Sequence, residues 1–244
     1  MNFKFATLTL FSLLPAYTYA LVGVDWDVDN TPASGLTDIT FPFNIANATH
    51  VSGYYFAQQF GFNGLADIGY TGLQPRPDSA LGVSNIRAVF SSFVPNTTTL
   101  DPLCSLGADG GPGVSCSITI PASYAHTYNM EVVNTVGTTW TGTMVDTITG
   151  IRAHVGTWTL PAGAGGIKSN EGGFVEYYLW NDGQAHPCNT LPKTQAFFGV
   201  PTTTTAGAGP GHISTAYEYG NCIGQVAFST STTNAGTFVK VGVV

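Results

Sequence analysis

Charged side chains are scarce in this sequence. Only 9% of its 244 residues are Asp, Glu, Lys or Arg, and acidic residues outnumber basic ones by 14 to 7. An acidic chain with few, scattered cations lacks the basic surface that nucleic acids and anionic membranes require. We therefore expect neither nucleic acid nor a membrane as a partner, and solubility must come from Thr, Ser, Asn, Gln and Gly.

Long apolar runs are missing beyond the N-terminus, so no later segment predicts a membrane-spanning helix. Residues 1–20 combine an early lysine, a short apolar segment and small residues at a cleavage site, which predicts a signal peptide cleaved after Ala20. The remaining residues, 21–244, are then one secreted, extracellular domain. Asn47 and Asn96 each begin an N-glycosylation motif, which predicts exposed loops of a glycoprotein if the host is eukaryotic.

Cysteine is limited to four residues, and no CxxC or paired His-Cys spacing suggests a zinc site. An even number of cysteines in a secreted chain predicts two disulfides. Of the three connectivities, we favour Cys104–Cys116, because the Gly/Pro-rich segment between these residues closes easily. This choice leaves Cys188–Cys222 as the second pair.

Local motifs for metal, serine or phosphate chemistry are missing as well. The five histidines form neither HxH nor HExxH, and no Gly-x-Ser-x-Gly occurs. Residues 25–30 alternate aspartates as a calcium loop does, but Asn30 and Leu36 stand where an EF-hand needs Gly and Glu. We predict no metal and no cofactor, and a structural calcium held by these aspartates or by Asp109 stays open.

What the sequence does contain is a strand-and-turn pattern. No 3.6-residue periodicity follows residue 20, and about a dozen short runs rich in Thr, Val, Ile, Tyr and Phe are bounded by Gly, Pro, Asn and Asp. The clearest hairpin joins residues 139–147 to residues 152–160. This spacing predicts an all-β protein with a single β sandwich.

Two glutamates, Glu176 and Glu218, stand among aromatic residues. Side chains at every second position of a strand share one face, so Phe174, Glu176, Tyr178 and Trp180 would lie together. Aromatic rings that stack on sugars, beside a carboxylate that accepts hydroxyl hydrogen bonds, are typical of a carbohydrate site. The pattern predicts Glu176, Tyr178, Trp180 and Glu218 as sugar contacts, with Trp180 as the stacking platform. The alternative is that Glu176 is a solvated residue on an exposed sheet face.

Gln74 and Arg87 are further candidates for sugar contacts. Alternation along residues 85–91 places Asn85, Arg87 and Ser91 on one face of a strand. A lone arginine among polar neighbours can hold a hydroxyl pair or a uronate through its forked guanidinium group. The alternative is a structural arginine that is paired with an acidic neighbour.

Three motifs in the first half resemble those of a family of uncharacterised secreted proteins with a concanavalin-like jelly-roll domain. The family's motifs YY.A.GF, GY.G.Q and FS.W correspond to residues 53–62, 69–74 and 86–93. Phe93 stands where the family usually has Trp, and the likeness covers most of the chain after residue 20. The resemblance implies the fold and a sugar-facing architecture, and it implies no activity.

Residues 174–179 are also similar to the nucleophile strand of small jelly-roll xylanases, whose motif is an apolar pair followed by Glu-Tyr-Tyr. Those enzymes have a second glutamate, in a Glu-Gly-Tyr context, as acid/base, and residues 218–220 are a looser match. This resemblance implies Glu176 and Glu218 as a retaining pair, whose carboxylates would lie about 5–5.5 Å apart.

From these observations we expect a secreted, lectin-like protein that binds glycan or cell-wall polysaccharide through aromatic stacking and neutral hydrogen bonds. The first alternative is a glycoside hydrolase or polysaccharide lyase that uses Glu176 and Glu218. The second is a surface or effector protein with protein partners. The sequence leaves the oligomeric state open.

Overall fold

The computed structural model describes residues 20–243, and the predicted signal peptide lies outside them except for Ala20. The described part contains two single-turn 3-10 helices, Tyr178–Trp180 and Cys188–Thr190, and sixteen strands. No helix among these residues has the length and apolar character needed to cross a membrane. The strands are β1 (Ala20–Val28), β2 (Asp38–Asn44), β3 (Tyr54–Gly61), β4 (Ile68–Arg76), β5 (Asn85–Ser92), β6 (Cys104–Ala108), β7 (Gly111–Pro121), β8 (Thr127–Val136), β9 (Thr139–Asp146), β10 (Arg152–Thr159), β11 (Asn170–Tyr177), β12 (Thr194–Gly199), β13 (Gly211–Ile213), β14 (Tyr217–Glu218), β15 (Phe228–Thr233) and β16 (Gly236–Val241).

The strands form two antiparallel sheets that pack as a sandwich. One sheet has the order β13-β1-β11-β3-β4-β5-β7-β6, with β14 also paired to β1, and the other has the order β10-β9-β8-β2-β12-β16-β15. The first is called the nine-stranded sheet and the second the seven-stranded sheet below. The predicted all-β sandwich is therefore confirmed, and β9 and β10 form the predicted hairpin.

The core lies between the sheets and is built largely from aromatic rings. Phe90 of the nine-stranded sheet stacks on Trp158 of the seven-stranded sheet at 4.5 Å between ring centroids. Trp140 packs against Phe62 at 5.2 Å. Both tryptophans are almost fully buried. A Cβ at Gly142 would lie 2.5 Å from Phe90, so the absence of a side chain there allows the sheets to approach closely.

Both predicted disulfides are present. Cys104–Cys116 joins β6 to β7, and Cys188–Cys222 joins the second 3-10 helix to the turn after β14. These two pairs leave no free cysteine in the described residues. Asn47 and Asn96 are both exposed, on the loops after β2 and β5, as the glycosylation motifs predict.

Candidate functional site

A cleft of about 530 Å³ opens on the face of the nine-stranded sheet that points away from the core. Its aromatic lining consists of Tyr70 on β4, Phe174 on β11, and Phe93 and Tyr219 just beyond β5 and β14. The Tyr70 ring contacts Phe93 edge-on at 4.9 Å between centroids and Phe174 at 6.2 Å. Tyr70 and Phe174 are largely buried, whereas Phe93 and Tyr219 remain partly exposed. The partly exposed rings are the surfaces on which a ligand can stack.

Glu176 is one of three carboxyl groups that line the cleft beside these rings. It lies on β11, where Val175 points into the core and Glu176 points outward, opposite Tyr55 of β3. Burial raises the pKa of Glu176 above its ordinary value. The Asn181 side-chain amide donates a hydrogen bond of 2.8 Å that opposes this effect, and the charge of Asp109 adds to it. Glu176 is therefore protonated to a higher pH than a solvated glutamate.

Asp109 supplies a second carboxylate of the cleft, and Asp67, just before β4, lines the cleft as well. Asp109 lies in the turn between β6 and β7 with φ +47°, a left-handed conformation that Asp adopts more readily than most residues. The Tyr70 hydroxyl donates to its two carboxylate oxygens at 3.2 and 3.1 Å. Sequence reasoning treated Asp109 only as a calcium candidate. The structure instead places it in the aromatic cleft, on a contact that spans 39 residues of sequence.

A smaller cavity of about 260 Å³ adjoins the cleft and shares Tyr70, Asp109 and Glu176 with it. We call it the arginine pocket. Four of the six sugar contacts predicted from the sequence line it: Gln74, Arg87, Glu176 and Tyr178. Gln74 and Arg87 are directly opposed partners on β4 and β5. The other lining residues are Tyr55, Arg76, Val89, Ser115 and Asn181.

The two arginines of this pocket are held by neutral groups. Arg76 donates to the Tyr178 hydroxyl at 2.6 Å and to Gln74 Oε1 at 2.5 Å. Arg87 donates to the Ser117 hydroxyl at 2.7 Å. Burial and the positive charge of Arg76 lower the pKa of Arg87. Since no described carboxylate forms an ion pair with either arginine, Arg87 is not the acid-paired structural arginine of the alternative interpretation.

Trp180 does not lie in the cleft, which corrects the sequence-based expectation. Strand β11 ends at Tyr177 and the chain turns into a 3-10 helix, so alternation of faces no longer applies at Trp180. Its side chain is only 5% exposed and packs in the main core. It contacts the rings of Tyr177 at 5.5 Å and His186 at 5.2 Å. A buried ring of this kind cannot be a stacking platform for a ligand.

Glu218 is also absent from the lining of both cavities. It lies on β14, and its carboxylate accepts a hydrogen bond from the backbone N–H of Gly224 at 3.2 Å. Strand β1 runs between β14 and β11, so Glu218 and Glu176 are two strand spacings apart, roughly 10 Å. The carboxylates that share the cleft with Glu176 are Asp109 and Asp67, and the neighbour of Glu218 that lines the cleft is Tyr219.

The calcium alternative at residues 25–30 corresponds to a surface cluster. Asp27, Asp29 and His212 place potential ligand atoms within 4.8 Å of one another, and all three residues are exposed. His212 Nε2 lies 3.0 Å from Asp29 Oδ2. Hydrogen bonding to Asp29 raises the pKa of His212, with a further contribution from the charge of Asp27. These contacts describe a solvated ion pair at one end of β1.

Neither a protein-family model nor a curated protein matches this chain. Among solved structures it is similar to scytalido-glutamic peptidase with a transition state analog inhibitor, at 15% identity and a TM-score of 0.49, over 93% of this chain and 100% of the peptidase chain. It is also similar to SCP-B, an eqolisin peptidase in complex with the tripeptide Ala-Ile-His, at 14% identity and a TM-score of 0.43, with the same coverage. Similarity at this level concerns the sandwich fold.

Proposed function

We propose that this chain is a secreted carbohydrate-binding protein and that its ligand site is the cleft on the nine-stranded sheet. The observation that carries the proposal is the placement of partly exposed Phe93 and Tyr219 beside the carboxyl group of Glu176. Aromatic faces pack on the C–H faces of sugar rings, and carboxylates accept hydroxyl hydrogen bonds. A volume of about 530 Å³ lies within the usual range for small-ligand sites.

The proposed extracellular location rests on three features. Residues 1–20 have the sequence pattern of a signal peptide. Two disulfides are compatible with an oxidising compartment. Asn47 and Asn96 are exposed and can accept N-glycans in a eukaryotic host. The protein is then a glycoprotein that meets its ligand outside the cell.

A second candidate function is hydrolysis or elimination at the same cleft, and the environment of Glu176 favours it. A carboxyl group whose pKa is raised by burial keeps its proton to a higher pH than a solvated one, which suits it to donate a proton to a leaving group. Asp109 would then be the second carboxylate, in place of the Glu218 that sequence reasoning assigned. Since a carboxylic acid can protonate a glycosidic oxygen or an amide nitrogen, assays must include polysaccharides and proteins.

Binding is tested by isothermal titration of a panel of oligosaccharides against the wild type and cleft variants. Phe93→Ala and Tyr219→Ala should each weaken glycan binding by about 1–3 kcal/mol, because each removes stacking area. Phe238→Ala is the matched control, since Phe238 is 43% exposed and lies on the seven-stranded sheet. Equal affinities for the wild type, both cleft variants and the control would contradict the proposed site.

Glu176→Gln separates binding from catalysis, and Glu218→Gln is its control. In a lectin, Glu176→Gln keeps the shape and one acceptor and should cost about 1–2 kcal/mol of affinity. In a hydrolase it should leave binding nearly intact and abolish turnover, because Gln cannot donate or accept the proton. Glu218→Gln should change neither. If the wild type neither binds a glycan nor cleaves a polymer, the carbohydrate proposal fails and a protein partner becomes the better explanation.

A further inference from the structure

Two of the three arginines in this sequence, Arg76 and Arg87, line the same small pocket. The chain has so few cations that this placement concentrates much of its positive charge beside the cleft. Arg76 is fixed by its hydrogen bonds to Tyr178 and Gln74. Arg87 makes one hydrogen bond, to Ser117, although a guanidinium group carries several N–H donors. Most of the donors of Arg87 are therefore unused by described side chains.

None of the ion pairs among the described residues joins either arginine to the acidic residues of the same pocket. Glu176 is bound by the Asn181 amide, and Asp109 is bound by the Tyr70 hydroxyl. The lowered pKa of Arg87 reflects burial together with repulsion from Arg76. The guanidinium groups of Arg76 and Arg87 repel each other, and an anion placed between them would reduce this repulsion.

We propose that the arginine pocket binds the carboxylate of an acidic sugar, so that the ligand is a uronic acid-containing polysaccharide. This inference rests on the proposed carbohydrate-binding function and specifies its ligand. Arg87 is the main donor to the sugar carboxylate and Arg76 the second, because planar guanidinium groups match the two oxygens of a carboxylate. The pocket adjoins the aromatic cleft through Glu176 and Tyr70, so neighbouring sugar units can stack on Phe93 and Tyr219.

The carboxylates in the pocket determine which anion fits. Glu176 and Asp109 repel a dianion more strongly than a monoanion, which favours a carboxylate over a phosphate monoester. A sulfate ester carries a single charge as well, and a sulfated oligosaccharide is therefore included as a separate arm of the test.

The experiment uses the full secreted chain and isothermal titration with oligogalacturonate, its methyl ester and a sulfated galactan oligomer. The methyl ester keeps the sugar rings and removes the charge. We expect oligogalacturonate to bind at least tenfold more tightly than the ester, with an advantage that shrinks as salt is added. Oligoguluronate and hyaluronan oligomers extend the panel to other uronates, because the structure does not specify the linkage.

Three arginine variants test the assignment of donors. Arg87→Gln should reduce affinity for the acidic oligomer at least tenfold and reduce affinity for the methyl ester much less, and an unfolding transition like that of the wild type would show that the variant is folded. Arg87→Lys should lose less affinity than Arg87→Gln, since lysine keeps the positive charge but lacks the paired N–H donors of the guanidinium group. Arg76→Gln tests the second donor in the same way and should also reduce affinity for the acidic oligomer. Arg152→Gln is the matched control, because Arg152 pairs with Glu131 on the seven-stranded sheet.

The outcomes separate this inference from the function on which it rests. Any one of four results would overturn the uronate assignment. The acid and its ester bind equally, the sulfated oligomer binds more tightly, Arg87→Gln and Arg76→Gln have no effect, or no uronate binds. Neutral glycans that still bind in a Phe93- and Tyr219-dependent way would leave the carbohydrate-binding proposal standing. The two proposals would be refuted together if acidic sugars bound independently of the arginines and neutral glycans bound independently of Phe93 and Tyr219.

Discussion

Replacing Glu176 by Gln should make the protein more stable at neutral pH while impairing its function. Burial raises the pKa of this carboxyl group, which means that its ionised form is less favourable in the folded protein than in the unfolded chain. Below the ordinary pKa of 4.5, the group is protonated in both states and there is no penalty. The penalty grows as pH rises through the folded pKa and is constant above it. Gln removes it at every pH.

The size of the effect follows from the contacts of Glu176. A buried carboxylate costs more than a buried neutral amide of the same shape, because its charged form loses more hydration. The hydrogen bond from Asn181 returns about 1 kcal/mol, and Gln keeps an acceptor for it. The expected gain from Glu176→Gln is therefore about 1 kcal/mol at pH 7. For a chain of this size, this gain corresponds to about 2–4 °C in Tm.

Thermal and urea unfolding of the wild type, Glu176→Gln and Glu218→Gln at pH 4 and pH 7 would test this reasoning. The stability advantage of the Glu176→Gln protein should be present at pH 7 and nearly absent at pH 4. The control substitution at Glu218, outside the cleft, should stay within about 0.5 kcal/mol of the wild type at both pH values. A Glu176→Gln protein that is less stable than the wild type at pH 7, or equally stabilised at both pH values, would refute the argument.

Three other predictions concern the scaffold. Cys188→Ala with Cys222→Ala should lower the free energy of unfolding by about 4 kcal/mol in urea titrations, because the disulfide closes a loop with a sequence separation of 34; a loss below about 1 kcal/mol would contradict it. Gly72→Ala should destabilise the fold by more than about 1 kcal/mol in the same assay, because its Cβ would lie 2.0 Å from a carbonyl oxygen of β3. Burial alone would raise the pKa of Asp146, but hydrogen bonds from His126 and nearby backbone N–H groups outweigh it and lower the pKa to about 2. Asp146→Asn should therefore reduce Tm at pH 6, and the difference from the wild type should disappear as pH falls from about 4 to about 2; a difference independent of pH would refute this assignment.

The disulfides also support the walls of the candidate site. Cys104–Cys116 ties together β6 and β7, and the turn between these strands carries Asp109. Cys188–Cys222 fixes the segment that follows Tyr219. Each bridge restrains one side of the cleft, so residues on connecting segments can keep a defined position over the sheet.

Along β11, sequence reasoning was correct as far as the strand extends. Alternation predicted that Phe174 and Glu176 share a face, and both line the cleft. The prediction failed at Trp180, because the period of two ends where the 3-10 helix begins at Tyr178. The end of a short strand depends on which backbone groups find partners in the sheet, and a propensity pattern does not contain that information.

The all-β class and both disulfides could be predicted from the sequence, and Gln74, Arg87, Glu176 and Tyr178 could be selected there as candidate contacts. These predictions follow from local chemistry: turn residues between short runs, a closable segment between cysteines, and alternating faces. That Asp109 and Asp67, and not Glu218, share the cleft with Glu176 emerged from the fold. The fold also decided that Arg76 meets Tyr178, a contact across 102 residues. The physical reason is that strand order in a sheet is not sequence order: β11 lies between β1 and β3, so its neighbours come from the other end of the chain.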